Sequence, residues 1–162
     1  MTFLRAIACA CLLALASPVF AQGTQVAFGA SAQDSNAPIE VSANELDVDQ
    51  KTNTAIFTGD VLIIQGEMRL AADRVLVVYR QETQGISQLE ATGNVTVISG
   101  EDAAESQYAD YRVDEGVIEM TGDVLLTQGQ NALTADRMTV RLDDGTARMQ
   151  GRVKTILQPR ED

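Results

Sequence analysis

Apolar and polar residues alternate with a period of two along most of the chain. Val75, Val77 and Tyr79 alternate with Leu76 and Val78. Phe57, Gly59, Val61 and Ile63 share one face, and Met120, Gly122, Val124 and Leu126 repeat it. This alternation, rich in Val, Ile and Thr, predicts β-strands. Turn-forming clusters separate them: Asp49-Gln50-Lys51-Thr52-Asn53, Asp114-Glu115-Gly116 and Asp143-Asp144-Gly145. The three prolines, Pro18, Pro38 and Pro159, lie outside the strands, so none interrupts a ladder.

An internal repeat organises the pattern. Thr58-Gly59-Asp60-Val61-Leu62 recurs 63 residues later as Thr121-Gly122-Asp123-Val124-Leu125, and Ala72-Asp73-Arg74 recurs as Ala135-Asp136-Arg137. A Gly-x-Val element stands at Gly59, Gly93, Gly122 and Gly151, spaced 34, 29 and 29 residues apart. A second marker, a small residue followed by Asn, Asp or Gln, stands at Ala43-Asn44, Ala72-Asp73, Ser106-Gln107 and Ala135-Asp136. The unit is therefore about 29 residues, strand-turn-strand, with a five-residue insertion around Arg80 to Gln88. A glycine inside a strand weakens it unless the missing side chain is useful, so the repeated glycines predict a bend where the sheet folds over. The apolar parity also shifts, from Leu70 and Ala72 to Val75 and Val77, and again from Leu133 and Ala135 to Met138 and Val140. One extra residue at such a shift is the mark of a β-bulge.

The ends read differently. Arg5, the apolar run Ala6 to Ala16, the break at Ser17-Pro18 and small residues up to Ala21 predict a signal peptide over 1–21 and export to the periplasm. That run is too short for the roughly 20 apolar residues of a membrane span. Cys9 and Cys11 both lie inside it, so no disulfide or thiol chemistry is expected beyond it. Residues 22–37, rich in Gly, Ser, Ala and Gln, are expected to be a flexible leader. One domain is expected over 38–158, with a frayed tail over 159–162.

Twelve Lys and Arg stand against 23 Asp and Glu, a net charge of −11, or −12 without the segment that holds Arg5. An acidic surface disfavours nucleic acid as a partner. The chain has no His, which excludes imidazole catalysis. The acid pairs Asp47/Asp49 and Asp143/Asp144 sit at turns, where solvated carboxylates are expected rather than a hydrolytic pair. Neither pair supplies the six or more oxygens of a calcium site. No enzyme activity, cofactor or metal is expected.

One face of the strands is apolar throughout: Val41, Leu46 and Val48, then Phe57, Val61 and Ile63, then Val75 and Val77. It continues through Val95 and Val97, Tyr111, Val124 and Leu126, and Met138 and Val140. Folding the sheet on itself buries this face either as a filled two-layer core or as a groove that admits an apolar ligand. Few aromatics line it, which suits acyl chains better than sugars.

Pro38-Ile39-Glu40-Val41, Phe57-Thr58-Gly59-Asp60-Val61, Gln65-Gly66 and Ala72-Asp73-Arg74-Val75 resemble the LptA (OstA-like) family of lipopolysaccharide-transport proteins. The resemblance runs from Pro38 to Pro159. It implies an all-β, folded-over antiparallel jellyroll open at both ends, whose inward aliphatics contact lipid A acyl chains. It also implies edge-strand pairing with an LptC-like inner-membrane protein, an LptD-like outer-membrane protein, or another copy head to tail. An open sheet leaves unpaired N–H and C=O groups that invite such pairing. Ile39 to Val48, with Ile39 and Val41, is the expected N-terminal docking edge. Arg152 to Gln158, with Val153 and Ile156, is the C-terminal one. The implied work is shielding: exposing a chain of about 12 carbons costs on the order of 10 kcal/mol. No nucleotide-binding signature is present, so an ATP-driven partner would supply direction. A secreted β-repeat scaffold or adhesin without lipid shares the repeat and the edges, and is the competing expectation.

Overall fold

In the computed structural model, residues 23–29 and 34–157 are described; the expected signal peptide and tail lie outside them. The described residues form eleven strands and one 3-10 turn. β1 is Thr24–Ala27, β2 Ile39–Ser42, β3 Glu45–Asp49, β4 Thr54–Gln65, β5 Met68–Tyr79 and β6 Ile86–Ser99. β7 is Asp102–Arg112, β8 Val117–Gln128, β9 Asn131–Arg141, β10 Thr146–Gln150 and β11 Lys154–Ile156, with the 3-10 turn at Val113–Glu115. They make one antiparallel sheet in the order β1-β10-β9-β8-β7-β6-β5-β4-β2. β3 continues β2 along β4, and β11 continues β10 along β9. From β4 to β10, neighbours in sequence are neighbours in space because each turn is short.

The turns fall on two margins. On the first, β4-β5, β6-β7 and β8-β9 are joined by Gly66-Glu67, Gly100-Glu101 and Gly129-Gln130, with the glycine at positive φ. A two-residue turn with glycine in its first position matches the right-handed twist of the flanking strands. On the second margin lie residues 50–53, 80–85, 113–116 and 142–145, where the acidic turn clusters and the insertion were expected.

Between the margins every long strand breaks at its middle. In β4, β6 and β8 the break is a pair of residues with positive φ: Gly59-Asp60, Gly93-Asn94 and Gly122-Asp123. In the strands between them the inward parity changes instead, at Asp73, Gln107 and Asp136, and the ladder register shifts there. The two repeat markers thus meet as two sides of one corner. At Gly93 a Cβ would lie 2.5 Å from Asp73 Oδ2, and Asn94 Nδ2 donates to that same oxygen at 2.7 Å. Asn44 occupies the place of Asp73 at Gly59, donating to Asp60 Oδ2 at 3.1 Å. The line of corners folds the sheet over, inner face to inner face. Ile63, Val75, Val77, Ile118, Met138 and Val140 have no exposed surface there. Each such side chain contributes about 1.5–3 kcal/mol by burial.

The leader departs from expectation. Thr24–Ala27 pairs with β10, from Thr24 opposite Met149 to Ala27 opposite Thr146, and Phe28 is buried in the core. The cause is the open edge of β10, whose backbone groups need partners. The only trace of this pairing in the sequence is Val26 and Phe28, two apolar residues at strand spacing within a polar stretch.

Candidate functional site: inner face, seam and edges

The fold brings the two margins together as a seam. Tyr111, near the second-margin end of β7, donates its hydroxyl to Gln65 Oε1 at 2.6 Å, at the first-margin end of β4. Gln65 Nε2 in turn donates to the carbonyls of Ser35 at 2.8 Å and Ala37 at 3.1 Å. Ser35 Oγ reaches the second margin at Asp143 Oδ1, 2.8 Å away. Phe28 and Gly29 bridge farther along. The Phe28 N–H donates to Gly145 O at 2.9 Å on the second margin, and the Gly29 N–H to Asp102 Oδ2 at 2.7 Å on the first. Gln128 Nε2 donates to Ala27 O and to Asp102 Oδ2. Burial pushes the Tyr111 hydroxyl up to about 12, the Gln65 hydrogen bond opposing this and Asp143 adding to it.

Of the expected lining, Val61, Ile63, Val75, Val77, Val95, Val97, Tyr111, Val124, Leu126, Met138 and Val140 are brought together and buried. Val41 and Phe57 are half-buried beside them. Leu46 and Val48 are 54% and 64% exposed, because β3 is an edge strand with nothing among the described residues above it. They border a cavity of about 430 Å³ with Asn53, Ala55 and Tyr79. A second cavity, about 560 Å³, opens at the seam between Ile39, Gln65, Tyr79, Ile86 and Val113. The N-terminal end is therefore a mouth, while the middle of the inner face is closed. Sequence reasoning missed Phe28 as a lining residue, and used Gln65 only within the Gln65-Gly66 motif that enters the family resemblance.

The edges differ. Among the described residues no strand pairs the outer side of β2 and β3, where Ile39 and Val41 sit half-buried. At the other end no described strand covers the outer side of β11, with Val153 half-buried and Ile156 half-exposed, but β10 is covered by β1. Charge separates the two ends. β2 and β3 carry Glu40, Glu45, Asp47 and Asp49 and no base. β9 to β11 carry Arg137, Arg141, Arg148, Arg152 and Lys154 against Asp136 and the turn acids Asp143 and Asp144. Arg152 hydrogen-bonds Asp136, holding its carboxyl below the usual carboxylate range.

Residues 40–146 match the model of the family described as LptA/(LptD N-terminal domain) LPS transport protein. The chain belongs to this family. It is 30% identical to the lipopolysaccharide export system protein LptA of Escherichia coli K12 over 60 residues, which cover 37% of this chain and 32% of that protein. The match thus spans about a third of that relative's length. An uncharacterised protein of Rhizobium meliloti is 29% identical over 100 residues, 57% of this chain and 54% of its own. The fold superposes with TM-score 0.70 on LptH, described as the LptA homologous periplasmic component of the lipopolysaccharide transport device of Pseudomonas aeruginosa. That likeness, at 16% identity, covers 78% of this chain and 99% of LptH. The all-β fold, an open antiparallel sheet, is shared with LptH. No helix among the described residues is long and apolar enough to cross a membrane.

Proposed function

We propose that this chain is a periplasmic, non-enzymatic lipopolysaccharide carrier that shields lipid A acyl chains and assembles end to end between the two membranes. The observation that carries this reading is the continuous aliphatic inner face, closed by a seam rather than by a covalent or laddered join. An acyl chain entering between the halves exchanges one apolar contact for another, so the interior opens without exposing its lining to water. The exposed Leu46 and Val48 extend this lining to the N-terminal mouth, where Ile39 and Val41 offer an unpaired edge. Val153 and Ile156 offer the matching edge at the other end. LptC-like and LptD-like proteins, or another copy, are the partners these edges suit.

A photocrosslinker at Val61, Val95 or Val124 in cells is expected to yield lipopolysaccharide adducts. Adducts to protein alone would favour a scaffold without lipid. Lipid capture at Leu46 but not at these inner positions would confine the ligand to the mouth.

Acidic β2-β3 meeting basic β9-β11 favours head-to-tail over head-to-head pairing. Self-association is therefore expected to weaken severalfold between about 0.05 M and about 0.5 M salt, as screening shortens the reach of these charges. Lys154→Glu should weaken it at low salt. Sedimentation velocity measures both, and salt-independent association would remove charge as the source of polarity.

A further inference from the structure

β1 and Phe28 play no part in the carrier function proposed above. Their position gives them one. Thr24–Ala27 covers the one side of β10 that would otherwise be open. The next residue, Phe28, is 1% exposed within the same core as the expected lipid lining. Its own N–H is tied to the second margin at Gly145, and that of Gly29 to the first margin at Asp102. Three consecutive residues thus hold an edge strand, fill the interior and clamp both lips: Ala27, Phe28 and Gly29. Gln128 reinforces the clamp from the first margin, donating to Ala27 O at 2.8 Å.

We infer that β1 and Phe28 form an internal latch, Phe28 occupying interior space that a fatty acyl chain takes when the latch lets go. This inference rests on the lipid-carrier reading. Three features make the latch displaceable. β1 is four residues long, so it has few ladder bonds to break. It has no charged side chain, so no ion pair holds it. One side chain, Phe28, supplies its deep burial, and an acyl chain replaces that apolar contact in kind. A seam clamped on both margins cannot part while the clamp is in place. Release of the latch frees the seam where Phe28 and Gly29 bridge Gly145 and Asp102, and bares the β10 edge in the same step, so loading with lipid and exposure of a docking edge are coupled.

The test locks the latch. In a chain carrying Cys9→Ser and Cys11→Ser, Ala27→Cys and Thr146→Cys place a thiol pair at cross-strand partners of β1 and β10. Oxidation then fixes β1 on the sheet. Binding of fluorescently labelled lipopolysaccharide to the purified protein is compared before and after reduction. The reduced form is expected to bind like the unmodified chain. The oxidised form should bind about tenfold or more weakly, because the competent state is depleted. Phe28→Ala should bind more tightly than the unmodified chain. A control pair, Thr96→Cys and Glu105→Cys, crosslinks β6 to β7 away from the seam and should leave binding unchanged when oxidised. Equal binding by the oxidised and reduced Ala27/Thr146 forms would overturn the latch, as would an equal loss in the oxidised control. No binding by the unmodified chain would instead remove the lipid reading on which the latch rests.

Discussion

Replacing Tyr111 with alanine lowers the unfolding free energy by about 3–5 kcal/mol, the cost of deleting a large buried aromatic side chain. Tyr111 has no exposed surface, and Ile118 lies opposite it across the β7-β8 ladder. Phenylalanine keeps the ring and removes only the hydroxyl. That leaves Gln65 Oε1 without its partner in a site where Gln65 is 3% exposed. The expected loss is about 1–3 kcal/mol, the cost of an unsatisfied buried polar group. Urea denaturation monitored by circular dichroism measures both. A phenylalanine variant as stable as the parent would show that the cross-seam hydrogen bond contributes nothing.

The same hydroxyl sets a pH dependence. Burial holds the Tyr111 hydroxyl up at about 12 in the folded chain, against 10.0 for the free side chain. Between these values the unfolded chain gives up the proton and the folded chain keeps it. The stabilisation is fully present below about pH 10 and is lost as pH rises toward about 12, by roughly 2–3 kcal/mol. Tyr111→Phe should remove most of that decline. Tyr108, raised by burial and by Glu90 and Asp110, leaves a smaller slope behind. Unchanged pH dependence in the variant would show that the Tyr111 hydroxyl is not held protonated.

The repeat markers were legible because they are backbone geometry written in residue types. A glycine that turns through positive φ, and an Asn, Asp or Gln that packs on it, recur wherever the sheet folds, so period and corner carry the same information. The inner face was legible for the same reason: alternation survives each break, by corner or by parity shift, and selects Val61, Val95 and Val124 as it selects Ile63 and Val97. What alternation cannot encode is the meeting of distant margins. Gln65 and Tyr111 lie 46 residues apart, and neither carries a local mark of its partner. β1 was illegible for a related reason. Thr24–Ala27 acquires strand character from the open side of β10, more than a hundred residues away, and two apolar residues in a Gly/Ser/Gln-rich stretch are too few to show a period. Leu46 and Val48 keep the inward parity but not the burial, because parity says which way a side chain points and nothing of what lies above it.

Gly93 is a corner where substitution should be felt sharply. Its φ of +81° is a backbone state that L residues rarely adopt, and a Cβ there would stand 2.5 Å from Asp73 Oδ2 and 3.2 Å from Asp73 Cβ. Gly93→Ala is expected to cost about 2–4 kcal/mol, combining backbone strain of about 1–3 kcal/mol with the overlap. Gly116 separates these two contributions. It is left-handed at φ 60 and ψ 34, and a Cβ there meets only the carboxylate end of Asp143, at 3.2 Å, which can swing aside. Gly116→Ala should therefore cost about 1–2 kcal/mol, the left-handed backbone alone. Adding Asp73→Ala to Gly93→Ala removes the closest contact and leaves both φ and the Asp73 Cβ in place. The double variant should recover part of the loss and not all of it. Thermal unfolding of the parent, of the single variants Gly93→Ala, Asp73→Ala and Gly116→Ala, and of the double variant measures the coupling. If Gly93→Ala cost no more than Gly116→Ala, the packing of Asp73 on Gly93 would not be what fixes the corner, and the fold-over of the sheet would rest on backbone preference alone.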